Sequence, residues 1–105
     1  MIPAQWYLVT VDLTRQRIVG ALTTSRALPM VPGIRYVPVD EPDWILFRYD
    51  PAIDEVVRRD AADFEAIGWS PFDATCKRRH VRGVIERRIM ELDVERVRAH
   101  RAASG

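Results

Sequence analysis

The chain has 105 residues, 48% hydrophobic and 30% charged, which excludes a disordered polymer and fits one globular domain with a modest core. Its net charge is only +1, but residues 1–69 hold seven Lys/Arg against ten Asp/Glu and residues 70–105 nine against five, so the C-terminal part is basic. A single cysteine, Cys76, excludes an intrachain disulfide, and no apolar run nears the ~18 residues of a membrane span.

With no signal-peptide pattern at the start, synthesis in a reducing cytoplasm is expected. Residues 5–12, QWYLVTVD, are rich in aromatic and β-branched side chains and predict a strand. Residues 13–16 predict a turn, and Arg17 to Thr23 an antiparallel return in which Gly20 marks a bulge or a close contact. The loop TSRALPMVPG follows, its backbone made irregular by Pro29, Pro32 and Gly33. It presents Leu28, Met30 and Val31 as candidate contacts for another protein.

Ile34 to Val39 predicts a third strand, placed at a sheet edge because Pro38 lacks a ladder donor. After the acidic turn at residues 40–43, Trp44 to Tyr49 reads as a fourth strand. Neither face of these strands is polar, so both need cover.

Asp50 followed by Pro51 then reads as the start of a helix over residues 50–68. Its stripe is Ile53, Val56, Val57, Ala61, Phe64 and Ile67 at helical spacing. Gly68 suits a left-handed terminus, with Trp69 folding back on Phe64. Ser70, Pro71 and Asp73 form a capping box for a long helix over residues 70–103. Val81, Ile85, Ile89 and Leu92 share one face of it. Met90, Val94 and Val97 lie on another and predict a second neighbour. The fold expected is therefore α+β in a single domain: a β-rich part over residues 1–49, then a helical hairpin whose second arm overhangs the first by about 20 Å. That overhang must lie on the sheet or on another molecule.

Candidate chemistry is sparse. Cys76 and His80 are four apart near a helix start, the spacing of an activated thiolate, but no orienting group or oxyanion site accompanies them. Asp40, Glu41, Asp43, Asp50, Asp54 and Glu55 flank two turns, and caps and edge protection explain them better than a divalent ion does. Neither a catalytic residue nor a cofactor or metal site is expected. Lys77, Arg78, Arg79 and Arg82 are the candidate nucleic-acid contacts, though carboxylates interleave the basic helix and no recognised nucleic-acid motif is present. Asp60 falls within the first helical stripe, where a lone charge is costly, so an ion pair with Arg78 or Arg82 is expected.

The order VDLTRQRIVG, then PMVPGIRYVPVDEPD, then an apolar strand resembles the opening of small tail or fibre-type proteins of bacteriophages. The resemblance covers residues 6–50 and implies a virion component that packs against other subunits and has no active site. The reading adopted is a non-enzymatic structural or interaction protein of a multisubunit assembly, self-associating or bound to other components. The alternatives are a small nucleic-acid-binding or regulatory protein using the basic helix 77–101, and a phage-encoded inhibitor of a host protein.

Overall fold

The computed structural model describes residues 6–24, 28–70, 72 and 79–104. Strand β1, Trp6–Asp12, is the middle of a three-stranded antiparallel sheet, between β2, Arg17–Thr24, and β3, Ile34–Val39. Val9 and Val11 are fully buried and meet Ile18 and Phe47 in one core cluster. Opposite β1, Thr10 pairs with Gly20 and Val11 with Ile18, so Val19 is bulged out of the ladder beside that glycine. β3 lies at the edge, the position its proline requires.

A second sheet pairs β4, Phe47–Asp50, with β5, Glu55–Arg58. Two expected elements are corrected here. Residues Trp44–Leu46 form a 3-10 turn, capped by Asp43 accepting from the Ile45 N–H, and the strand begins only at Phe47. The helix expected over residues 50–68 is a hairpin followed by a short helix. Asp50 does accept from the Ala52 N–H at 3.0 Å, the kind of contact an N-cap makes. The turn then closes through Asp54, at φ +55°, and Val56 and Val57 enter β5, where branched side chains suit the pleat. Ile53, assigned to the helical stripe, is 55% exposed in the turn.

Helix α1 spans Ala61–Ile67 and is capped by Asp60, which accepts from the Asp63 N–H at 3.1 Å. It ends as expected. Gly68 is left-handed, its N–H donates to Glu65 O, and the Trp69 N–H donates to Phe64 O at 3.2 Å. These are the two bonds of a Schellman motif, and Trp69 packs into the same cluster as Phe64.

Helix α2, Arg79–Ser104, has 26 residues and is about 39 Å long at about 1.5 Å per residue. Pro71 and Asp73 of the expected capping box lie outside the described residues. Ile85 and Ile89, both fully buried, pack on Ile45, Phe64 and Ile67. Trp44 and Leu46 pack against this cluster and against the sheet cluster, so the 3-10 turn joins the two halves of the core. The overhang of α2 returns to its own sheet. Arg101 Nη2 donates to Thr14 O at 2.6 Å, and Nε to Gln16 Oε1 at 3.2 Å.

Candidate protein interface

Two sets of charged side chains stand out along the middle of α2. One set turns inward. Asp93, four residues on from Ile89, receives Arg59 from the segment between β5 and α1, with Nη1 to Oδ1 at 2.9 Å and Nη2 to Oδ2 at 2.7 Å. Arg59 Nε donates to the Ile45 carbonyl at 2.8 Å, so this guanidinium ties the 3-10 turn to α2. Asp63, fully buried on α1, is held by both terminal nitrogens of Arg96, one at 2.8 Å, and lies near Arg59 and Arg48. Burial pushes the Asp63 carboxyl up. The hydrogen bond and charge of Arg96, with the charges of Arg59 and Arg48, outweigh it and hold the group below the ordinary carboxylate range. Among the described residues no buried side-chain polar atom lacks a partner.

Asp60 is not the buried member of this network. α1 starts at Ala61, so Asp60 is an exposed cap, and the acidic position within the apolar stripe is Asp63. Its expected partner Arg82 instead holds Asp43, at 2.6 and 2.8 Å, and Glu86 at 2.9 Å. The Asp43 hydrogen bond is the main cause that raises the Arg82 pKa. Arg78, the other expected partner, lies outside the described residues, as do Cys76 and Lys77. Of the basic quartet proposed for nucleic acid, Arg79 is exposed and Arg82 is already engaged by two carboxylates.

Five of the six turn carboxylates, all but Glu55, face arginines instead of gathering round a common centre. Asp40 and Glu41 meet Arg58, and Asp54 meets Arg35 at 2.7 Å and the Tyr49 hydroxyl. The hydrogen bonds from Arg35 and then Tyr49 lower the Asp54 pKa, and the contact fastens β3 to the β4–β5 turn. Among the described residues no group of three or more His, Cys, Asp or Glu side chains could hold a metal ion.

The second set of α2 charges turns outward. Arg87, Glu91, Glu95 and Arg98 form no ion pair with another described residue. With Gly83, Glu86, Met90, Val94 and Arg17 of β2 they line an open groove of about 640 Å³. Met90 is 43% exposed and Val94 half-buried, as an outer stripe requires. Val97 is a correction: it is only 7% exposed, because the last turns of α2 lean on the β1–β2 hairpin. In the loop, Met30 is 98% and Val31 43% exposed, while Leu28 is half-buried.

Sequence reasoning missed Arg59, Asp63, Asp93 and Arg96. A signal existed for one of them: Ile85, Ile89, Asp93 and Val97 recur every four residues, so a carboxylate stands in an apolar row. Chemically, the inward set consists of matched carboxylates and guanidiniums, and arginine does not give up its proton. The outward set offers apolar contact framed by charges of both signs.

Among the described residues no helix is long and apolar enough to cross a membrane. In comparisons with known proteins, no protein-family model matches the chain, and no curated protein or solved structure matches it.

Proposed function

We propose that the chain is a non-enzymatic interaction protein that works inside a multisubunit assembly. The observation that carries this reading is the division of α2. Its inward charges are paired, Asp93 buried and Arg96 partly so, while Arg87, Glu91, Glu95 and Arg98 border the exposed Met90 and the half-buried Val94 and form no ion pair with another described residue. Protein interfaces place such apolar side chains inside a polar rim. The loop carrying Met30 and Val31 offers a second apolar contact. A virion as the setting rests on the resemblance of residues 6–50 to phage tail and fibre-type proteins.

The nucleic-acid alternative needs a basic surface. On α2 Glu91 and Glu95 stand between the exposed Arg79, Arg87 and Arg88 and the exposed Arg98, and they repel a phosphate backbone. Sedimentation velocity over a range of protein concentrations, with and without duplex DNA, tests the reading. Concentration-dependent mass at moderate salt is expected, reduced by Met90→Glu or Met30→Glu. A chain that stays monomeric and binds duplex below micromolar concentration, with steep salt dependence, replaces this reading with the nucleic-acid one.

A further inference from the structure

We infer that the partner on the α2 groove is a second copy of this chain, its α2 running antiparallel to the first across a two-fold axis beside Val94 and Glu95. This rests on the interaction reading above and adds the partner and the register. A two-fold contact brings the same patch of both copies together, so the patch must complement itself. Glu91 and Arg98 are seven residues apart, two helical turns, and therefore lie on the same side of α2. In an antiparallel pair like sides meet, and an axis midway between these residues sets Glu91 of each copy level with Arg98 of the other. One chain thus supplies both members of two equivalent ion pairs.

Neither residue has an ion-pair partner of its own among the described residues. In the same register Arg87 lies level with Ala102, which is exposed and small and on nearly the same side of the helix, so the larger side chain meets room. The helix is held on its own molecule by Arg82 near its start, Asp93 and Arg96 in the middle, and Arg101 near its end. Such a surface is already ordered, which reduces the conformational cost of association. Its charges chiefly set register and exclude wrong pairings.

Sedimentation equilibrium on the full chain tests this with Glu91→Arg, Arg98→Glu, the double exchange, and an equimolar mixture of the two single variants. Both positions lie on the groove, outside the core, so folding is checked simply by circular dichroism. The wild type is expected to dimerise, and each single variant to weaken the dimer by roughly tenfold or more, since both cross-pairs become like-charged. The double variant recovers the dimer, and so does the mixture, in which every cross-pair is again opposite. A dimer indifferent to the single exchanges overturns this pairing and leaves the interaction reading to another surface, such as the loop at Met30. A wild type monomeric at all accessible concentrations overturns the self-pairing outright, while a different protein captured through the groove would keep the broader reading.

Discussion

Replacing Arg59 with methionine removes the guanidinium that joins the 3-10 turn to α2 while keeping much of its packing volume. Three good hydrogen bonds disappear, two to Asp93 and one to the Ile45 carbonyl, with a longer contact to Asp63. Asp63 retains Arg96 and Arg48, but Asp93, 7% exposed, is left without its two-pronged partner. Stranding one member of a buried pair costs about 3–5 kcal/mol. That is a large share of the roughly 5–15 kcal/mol that holds a domain together, and lowers Tm by at least about 12 °C at this chain length. Urea denaturation followed by circular dichroism measures it. Adding Asp93→Leu removes the stranded charge, and the double variant should return to within about 2 kcal/mol of wild type, since apolar replacement of a whole buried pair is often neutral. A cost below about 1 kcal/mol for Arg59→Met alone would show that water reaches Asp93. A double variant worse than the single would show that the pair stabilises beyond mutual neutralisation.

Asp63 gives the fold an acid limit. Its folded carboxyl lies below the unfolded value of about 3.9, so its contribution is complete above about pH 5 and declines as pH falls through that value toward the folded one. Asp63→Asn should flatten the acid limb of a urea-midpoint titration, and an unchanged limb refutes the assignment. Asp60→Ala should cost only about 1 kcal/mol in chemical denaturation, the value of a lost cap; a loss above about 3 kcal/mol would return Asp60 to the core. Met90→Glu should leave the unfolding free energy within about 0.5 kcal/mol, whereas Val97→Glu, a charge placed at a buried position, should cost more than about 2 kcal/mol. Equal costs at the two positions would mean that α2 is rotated from the orientation described.

The sheet hairpin, the edge proline, the end of α1 at Gly68 and the long terminal helix are all legible in the sequence, because local chemistry decides each. The β4–β5 hairpin was not legible, for a physical reason. Asp12 and Asp50 each head a four-residue turn and each accept from the backbone N–H two residues on. Each turn closes with a left-handed residue, Gln16 at φ +58° or Asp54 at φ +55°, and neither turn holds a glycine to announce it. An aspartate that caps a turn and one that caps a helix make similar first contacts, so Asp50-Pro51 reads equally well as either. Once a helix is begun at Asp50, its phase carries the error forward. Asp60 then falls in the stripe, and the true buried acid, Asp63, is passed over. The adjacent pair Val56-Val57 was the available counter-signal, being better suited to a strand than to a helix interior.

The bond from Arg101 to Thr14 also says something about the order in which the molecule forms. The two residues are 87 positions apart, and closing a flexible loop of that length costs about 4 kcal/mol in chain entropy before any constant term. Two exposed hydrogen bonds return about 1 kcal/mol each and cannot nucleate such a closure. The contact therefore forms only after Ile85, Ile89 and Asp93 have already brought α2 alongside the core. In refolding it is a late event, and within α2 the turn beyond Arg101 opens more readily than the segment held by Asp93, Arg96 and Val97. Along α2, amide exchange should accordingly run fastest toward Ser104 and already be slow at Val97 and Asp93.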